Sequence, residues 1–273
     1  MSAIIETKPA VFPTDLRNHI SVGKTISQTF TMAYRALIRL RRTPEQWADV
    51  LIVPFIFTFM FAFIFGGAIY GSVADALPAL IPSIIAQSVV QASLVTGTQL
   101  REDMDTGVFD RFRSLPMARI APLAGALITD TIRYLVITGL TLIVGVIIGY
   151  RPDGGVVGIV MAILLVMFTA WALSWAWALL GVMARTAGTV QGVAMIILMP
   201  LTFVSNAFVP TGTLPDWLKV VAEWNPVSHL ITAMRDLLNS GHFGWDFLWT
   251  VVGALIIVAV FAPLTVRAYM RKA

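Results

Sequence analysis

The sequence predicts an all-α integral membrane protein with six transmembrane helices. Of its 273 residues, 58% are hydrophobic and only 12% are charged, whereas a soluble domain carries about 25% charged residues. The mean hydropathy of the chain is +0.82. So few charged groups cannot cover a surface that faces water, and most of the surface must therefore face lipid.

Long runs without a charged side chain locate the six helices. A helix needs about 20 apolar residues to cross the hydrocarbon, and a charge at its centre costs ~2.5–3.5 kcal/mol on insertion scales. The runs cover residues 50–74, 76–100, 134–150, 154–184, 186–215 and 247–266. Because the third is short, we expect its helix to begin near Pro122 and to carry Asp130 and Arg133 with it.

Asp130 and Arg133 are three residues apart, so they share one helix face and are predicted to form an ion pair. Intramembrane charges also carry substrates or protons in some proteins, and the pattern leaves that alternative open.

The basic residues predict the orientation of the chain. Most of the 19 lysines and arginines fall in the two terminal segments and in the second and fourth loops, which six crossings put on one side; Arg151, Lys219 and Arg235 fall on the other. Since loops rich in lysine and arginine stay in the cytoplasm, both termini are predicted to be cytoplasmic, in a plasma (inner) membrane. The pI of about 9.7 is then explained by the basic cytoplasmic loops, and we expect no nucleic-acid partner.

Residues 1–24 are predicted to be a flexible cytoplasmic N-terminus, and residues 25–46 an amphipathic helix in the membrane interface. Its apolar face and its basic face lie opposite one another at helical spacing. The apolar face consists of Ile26, Phe30, Ala33, Tyr34 and Leu37, and the basic face of Arg35, Arg39 and Arg42. The apolar face could instead pack on a partner chain.

The sequence shows no catalytic or metal site. It has no cysteine, and its three histidines lack metal-ligand spacing. Gly23-Lys24-Thr25 has Asn18 where a phosphate-binding loop needs glycine. We therefore expect no enzyme chemistry and no cofactor in this chain.

The loop 101–119 is predicted to contain a short amphipathic helix. Val108, Phe109, Phe112 and Leu115 recur at helical spacing among charges of both signs, and Pro116 ends the helix. Such a helix suits docking in a groove of another protein, or it rests on lipid headgroups. The pattern alone does not separate the two.

Two spans carry polar faces. In span two the stripe consists of Ser83, Gln87, Gln91 and Thr98; in span five, after an expected kink at Pro200, the face consists of Thr202, Ser205 and Asn206, with Phe203 nearby. Polar side chains in a span usually face the protein interior. They line a substrate path or hydrogen-bond a neighbouring helix, and both interpretations stay open.

The segment 211–245 is too polar for a full span. Trp217 and Trp224 suggest a short helix with an apolar face, which Asn225-Pro226 separates from a second helix. We predict a re-entrant segment that shapes an extracellular gate, with a plain surface loop as the alternative.

Several motifs in this order resemble the daunorubicin-resistance permease branch of the ABC-2 type exporters. They are Phe112-x-Ser114-Leu115-Pro116-Met117-x-Arg119, Ala121-Pro122-Leu123-x-Gly125, Asp130-x-x-Arg133, Asn225-Pro226-Val227 and Arg235-x-Leu237-Leu238. The resemblance extends from about residue 35 to residue 266. His229 stands where many members of this family have an aromatic or hydroxyl residue.

The resemblance implies a permease that works with a separate ATPase subunit, present in two copies, which binds the ATP and Mg. It also implies a second permease copy, in a homodimer or as a sister permease. The loop 101–119 would be the coupling helix seated on the ATPase. Its coupling residues would be Glu102, Asp105, Phe109, Arg111, Phe112, Arg113, Leu115, Pro116, Met117 and Arg119. In this family spans two and five flank the central cavity, which favours the path interpretation of their polar faces.

The expected architecture is a six-span domain at 47–268 followed by a cytoplasmic tail at 269–273. The expected function is export of an amphipathic drug-like or lipid-like substrate, powered by the ATPase. Export of a lipid, glycolipid or polysaccharide is an alternative within the class. An ATP-independent membrane scaffold or sensor is an alternative of a different class.

Overall fold

The computed structural model describes residues 22–42, 52, 54–107, 120–207 and 215–272, which form helices and short turns without a β-strand. The helices are α1 (Val22–Arg42), α2 (54–70), α3 (Val73–Ala92), α4 (Val95–Asp105), α5 (Ala121–Ile148), α6 (Gly155–Met183), α7 (Ala187–Phe203), α8 (Asp216–Trp224), α9 (Pro226–Ser240) and α10 (Trp245–Lys272). The all-α class predicted from composition is confirmed for this part of the chain.

Four helical stretches among the described residues are long and apolar enough to cross a membrane. They are α3 with α4 (Val73–Asp105), α5, α6 and α10. The apolar part of α2, Pro54–Ile64, and α7 are shorter. These four candidate spans agree with the predicted multi-pass membrane protein. The count of six crossings stays a prediction that depends on α2 and α7.

The two ends of the bundle carry different parts of the chain. At one end α1 packs on the beginning of α5, and the Lys272 ammonium near the C-terminus of α10 donates to the Val182 carbonyl of α6. We call this the terminal end. At the opposite end the α5–α6 connection meets α9, where the Gly154 amide donates to the Leu238 carbonyl over 2.9 Å.

Close backbone contact holds α4 against α6. A Cβ atom on Gly97 would lie 2.4 Å from the Trp177 carbonyl oxygen, and one on Gly181 would lie 2.3 Å from the Gly97 carbonyl oxygen. Small residues allow membrane helices to approach in this way and to gain dispersion contacts that apolar lipid cannot replace. The Trp177 indole nitrogen also donates to the Ser93 hydroxyl over 2.9 Å, so this contact is central to the packing.

Ser72 and a turn at residues 93–94 set the limits of α3. The Ser72 side chain accepts from the Asp75 amide over 3.1 Å and so caps the helix after the turn from α2. The bend at residues 71–72 therefore connects α2 and α3 as a tight hairpin. At Ser93 and Leu94 the helix pauses before α4, so the polar stripe of span two is divided between two helices.

The packing face of α1 differs from the predicted apolar face at two of the described positions. Ala33 is buried, and its carbonyl accepts from the Thr129 hydroxyl of α5 over 3.2 Å, beside Gly125. Phe30 and Tyr34, predicted on the same face, are 61% and 66% exposed. The helix begins at Val22, three residues before the predicted start, and an interfacial role for its exposed aromatic rings stays a prediction.

Helix α7 is shorter than the charge-free run predicts. It ends at Phe203, three residues after Pro200, and turns follow. Proline supplies no backbone donor, and the Ser205 hydroxyl bonds the Thr202 carbonyl over 2.6 Å, which satisfies an end carbonyl that a longer helix would use. Of the polar residues predicted after the kink at Pro200, Thr202 lies in the last turn of α7, and Ser205 and Asn206 lie in the turn beyond the helix.

The predicted tail at 269–273 is the end of α10, which continues to Lys272. The predicted domain limits at 1–21 and 43–51, and residues 211–214 of the predicted extracellular segment, lie outside the described residues.

Candidate functional site

Arg235 of α9 joins the two polar regions that the sequence singles out. Its Nε donates to the Ala79 carbonyl over 3.0 Å, and its Nη2 donates to the Ser83 hydroxyl over 2.9 Å, both on α3. The same Nη2 lies 2.7 Å from the Asn206 carbonyl oxygen beyond α7. One guanidinium thus ties α9, α3 and the end of α7 together at the opposite end of the bundle.

The Arg235 charge is held by neutral oxygens. Among the described residues its hydrogen-bond acceptors are carbonyls and one hydroxyl. The Asn206 and Ala207 carbonyls lie just beyond the C-terminal end of α7, where the negative end of the helix dipole favours a nearby cation. Burial lowers the pKa of the Arg235 guanidinium from its usual value, and it also raises the pKa of the adjacent Asp236 carboxyl.

The remaining polar residues of spans two and five are not brought into one path. Gln87 is buried one turn beyond Ser83, and its Oε1 has no hydrogen-bond partner among the described residues. Gln91 is exposed and Thr98 lies on α4. Phe203 is 66% exposed. Through Arg235 the structure therefore connects Ser83 with Asn206. It does not bring Gln87, Gln91, Thr98 or Phe203 into this contact.

The hydroxyls of Thr202 and Ser205 bond nearby carbonyls of their own segment. The Asn206 side-chain nitrogen, Nδ2, donates to the Thr232 hydroxyl of α9 over 2.9 Å. These side chains therefore close backbone and inter-helix hydrogen bonds in this structure, and their role as substrate contacts stays a prediction.

Asn225 and Pro226 form the break between α8 and α9 that the sequence predicts. The Asn225 Oδ1 accepts from the Val227 amide over 2.9 Å and caps α9, and Pro226 stands in the first turn. The Asn225 Nδ2 donates to the Leu201 carbonyl of α7 over 2.7 Å. Trp224 is 81% exposed and Trp217 is also exposed, so α8 shows its indole rings outward.

A histidine–carboxylate pair links α9 to α10. The His229 Nδ1 lies 2.6 Å from an Asp246 oxygen, and the His229 ring stacks on Trp249 at a centroid distance of 6.3 Å. Sequence reasoning noted His229 and missed this pair, because its partners lie across a helix break and follow no local spacing. Arg235 was missed as a site residue for the same reason: its partners lie on helices far away in sequence.

Asp130 and Arg133 form the predicted ion pair, deeply buried, with 2.6 Å between the Arg133 Nη1 and the Asp130 Oδ1. The Thr96 hydroxyl of α4 donates to the other Asp130 oxygen over 2.5 Å. Tyr134, beside Arg133 in sequence, hydrogen-bonds Ser174 of α6 over 2.6 Å. The pair thus belongs to a network that ties α4, α5 and α6 together.

Two of the predicted coupling residues are described. Glu102 and Asp105 lie in the last turns of α4, where Asp105 accepts from the Arg101 Nε over 3.0 Å. The Arg101 Nη1 donates to the Ala184 carbonyl at the end of α6 over 3.0 Å. The other predicted coupling residues lie outside the described residues: Phe109, Arg111, Phe112, Arg113, Leu115, Pro116, Met117 and Arg119.

Over the ranges that the structure describes, no three histidine or acidic side chains lie close enough to hold a metal ion. The geometry offers hydrogen bonds between helices, a buried cation and apolar surface. Such an arrangement is suited to binding a ligand and to movement of helices relative to one another.

Comparisons with known proteins also identify a membrane transport protein. The ABC-2 type transporter family matches residues 27–239. The chain is 40% identical over 263 residues to the daunorubicin resistance ABC transporter permease protein DrrB1 of Streptomyces coeruleorubidus, covering 94% of this chain and 93% of that protein. It is 25% identical over 172 residues, 63% of this chain and 60% of the relative, to a Mycobacterium tuberculosis protein named "Probable doxorubicin resistance ABC transporter permease protein DrrC".

Proposed function

This chain belongs to the ABC-2 type transporter family, and on that premise we propose that it is the membrane-spanning subunit of an ATP-driven exporter. A separate ATPase binds the ATP and Mg, and this chain forms the path for the substrate. Two ATPase copies and a second permease copy complete the transporter. The chain itself requires no cofactor.

The observation that carries this proposal is the 40% identity to a daunorubicin resistance permease over 94% of the chain, and the position of Arg235 indicates where a gate would lie. A gate needs contacts that are specific and that can also be released. Arg235 holds α3 and the end of α7 through neutral acceptors, which water can replace at lower cost than a buried carboxylate partner. We propose that releasing these bonds opens the opposite end of the bundle, with the Trp217, Trp224, Asn225 and Pro226 segment as the gate.

We propose that the chain crosses the membrane six times with the terminal end in the cytoplasm. α2 and α7 then complete the crossings besides the four long apolar stretches. The excess of lysine and arginine in the loops of the terminal end supports this orientation. In it, α8 and α9 form a re-entrant segment on the outer side, and the exposed aromatic rings of α1 rest in the cytoplasmic interface.

The ATPase is proposed to dock on the loop between α4 and α5. The buried link of Thr96 to Asp130 and Arg133 joins the helices on either side of this loop. Because the link is short and enclosed, a displacement of the loop would move both helices as one unit. Arg101 extends the same connection to the end of α6.

The proposed cargo is an amphipathic, drug-like molecule. The relatives are named for resistance to daunorubicin and doxorubicin, and the polar positions Ser83, Gln87 and Asn206 are uncharged, which suits a hydrophobic cargo. A lipid, glycolipid or polysaccharide cargo, and an ATP-independent scaffold or sensor role, are the alternatives that the experiment must separate.

Co-purification of this chain with the ATPase encoded beside it, followed by ATP-dependent uptake of daunorubicin into inside-out vesicles, tests the proposal. Phe112→Ala and Leu115→Asp should weaken the complex and reduce transport. Val156→Asp is the matched control, because Val156 is 79% exposed at the start of α6, at the opposite end. An intact complex with unchanged transport in both loop variants would refute the docking assignment. A complex that moves no amphipathic compound would favour the alternatives.

A further inference from the structure

A large apolar cleft lies between α7 and α10, with α6 as its floor and the α8–α9 junction at one end. Its volume is about 870 Å³, within the range of ~300–1,000 Å³ that is typical of small-molecule sites. Apolar side chains line its walls, among them Leu173, Ile197 and Ile257. None of the path residues predicted from spans two and five lines it among the described residues.

The cleft extends through much of the membrane and opens sideways. On α6 it follows the chain from Thr169 to Met183, roughly 21 Å at 1.5 Å per residue, against about 30 Å of hydrocarbon. Met183 and Ile197 at its rim are exposed on the surface of the bundle. A molecule dissolved in the bilayer can therefore reach the cleft without passing through water.

Little hydrogen-bonding capacity remains inside the cleft. The hydroxyls of Thr169 and Thr250 bond carbonyls of their own helices over 2.9 and 2.7 Å. The Trp177 indole nitrogen bonds Ser93, and His229 is paired with Asp246. An occupant must therefore be apolar over most of its surface, because a polar group there would lose its water without finding a partner.

The end of the cleft at α8 is different, because it carries a negative charge. Glu223 lines it, is exposed, and makes no ion pair with a described residue. The rings of Trp224 and Trp249 line the same end. Among the described residues, no lysine or arginine lines the cleft. A carboxylate at the end of the cleft that also carries two indole rings favours a cation by charge attraction, and an indole face can add a cation–π contact.

We propose that this cleft binds a lipophilic cation, with its apolar body between α7 and α10 and its positive charge at Glu223 beside Trp224 and Trp249. The inference rests on the proposed function and deepens it by assigning a charge and a binding site to the cargo. An anionic lipid fits less well, because its headgroup would meet the Glu223 carboxylate. A second copy of the chain and a neutral acyl chain are the competing occupants.

Two substitutions test the two halves of the site. Glu223→Gln removes the charge at an exposed position, and Asp216→Asn makes the same change on the same helix away from the cleft. Gly253→Leu fills the cleft, since a Cβ at Gly253 meets nothing within 4 Å. Gly139→Leu is its control, because Gly139 on α5 also has open space around its Cβ and does not line the cleft.

The measurement is equilibrium dialysis of radiolabelled tetraphenylphosphonium against the full chain in lipid nanodiscs, corrected by empty nanodiscs. Tetraphenylborate, an anion of the same shape, is the second probe. We expect saturable binding of tetraphenylphosphonium that weakens about fivefold in Glu223→Gln and is lost in Gly253→Leu. Neither control should change it, and tetraphenylborate should not bind saturably.

Unchanged tetraphenylphosphonium binding in both test variants would overturn the proposal. So would equal binding of the two probes, which would indicate an unselective apolar site for acyl chains. A change of oligomeric state in Gly253→Leu would indicate that a second copy fills the cleft. Transport that continues in all variants would refute this site and leave the proposed function intact, whereas cation binding without ATP-dependent transport would refute the proposed function and leave the site.

Discussion

At the scale of single residues, Arg235 shows how a cation is kept in an apolar bundle. Its planar guanidinium places several donors in fixed directions, and these reach Ala79, Ser83 and Asn206 on two other helical segments. The Ala79 carbonyl also accepts from the Ser83 hydroxyl. Removing the Arg235 side chain would take the guanidinium donors away from Ser83 and from the Asn206 carbonyl and would leave a cavity.

Arg235→Met should therefore lower the free energy of unfolding by about 1–3 kcal/mol, because buried polar groups lose their partner. Arg235→Lys should recover only part of this loss, since one ammonium cannot span the same oxygens. Unfolding in mixed micelles with increasing SDS measures the free energy of unfolding of each variant. Arg151→Met is the control: Arg151 is exposed at the same end and bonds the carbonyls of Val146 and Tyr150 nearby in sequence. Equal effects at both positions would contradict the account of Arg235.

The Asp130–Arg133 pair gives a second residue-scale prediction. Arg133→Leu should cost about 3–5 kcal/mol, because it leaves a buried carboxylate without its counter-charge. The double variant Asp130→Asn with Arg133→Leu should be more stable than the single one. The same SDS titration, analysed as a double-mutant cycle, measures the coupling. If the two changes were simply additive, the pair would not be the structural contact described.

How far the sequence predicts the site depends on the distance between partners. The Asp130–Arg133 pair was predicted because three residues bring side chains onto one helix face. The bonds of Thr96 to Asp130, His229 to Asp246 and Arg235 to Ser83 join different helices. No local period encodes such contacts, so they required the fold.

At the scale of helices, the glycine contact between α4 and α6 determines how these spans pack. A side chain at Gly97 would enter the space of the Trp177 carbonyl. The helices would have to separate, which removes dispersion contacts along their length and strains the Trp177–Ser93 bond.

Gly97→Ala is expected to lower the free energy of unfolding by on the order of 1–3 kcal/mol through overpacking. Gly192→Ala is the matched control, since a Cβ at Gly192 on α7 meets nothing within 4 Å. It should be neutral or slightly stabilising, because alanine is the better helix former. A stable Gly97→Ala protein with normal SDS resistance would show that the two backbones are not in contact.

The limits of α7 and the packing of α1 show what a pattern cannot encode. An absence of charge from 186 to 215 shows which residues tolerate lipid, but the helix ends at Phe203, after Pro200. The apolar face of α1 was predicted from periodicity, yet the approach of α5 decides that Ala33 is buried and Phe30 is not. Periodicity predicts which faces are apolar, and tertiary contact decides what covers them.

At the scale of the whole molecule, the number of crossings depends on α2 and α7, the shorter apolar helices. The sequence lacks cysteine, so single cysteines can report the side on which each loop lies. Arg185 and Asp216 are exposed before and after α7. Six crossings require that they lie on opposite sides of the membrane.

In intact cells a membrane-impermeant maleimide should label Asp216→Cys and Asp153→Cys, and should label Arg185→Cys and Thr106→Cys only after permeabilisation. All four positions are exposed in the structure. Labelling of Arg185→Cys and Asp216→Cys from the same side would mean that α7 does not cross. Complete reversal of the pattern would invert the predicted orientation.

The class of the protein was predictable from composition and from motifs, because low charge and long apolar runs have few physical explanations. The composition predicts a membrane bundle, and the family match and the helical structure confirm it. The cleft between α7 and α10 could not be predicted, because it arises where two helices on a common floor stand apart. Its lining residues are spread over distant parts of the chain.

The most direct test of the central claim is ATP-driven movement of an amphipathic dye by the purified chain and its ATPase in proteoliposomes. ATP supplied on the side of the terminal end should drive dye across the bilayer, and omission of either subunit should abolish the movement. Arg235→Met should alter the transport rate while the two subunits still assemble. Dye movement that proceeds equally without ATP, or without this chain, would contradict its assignment as the membrane subunit of an exporter.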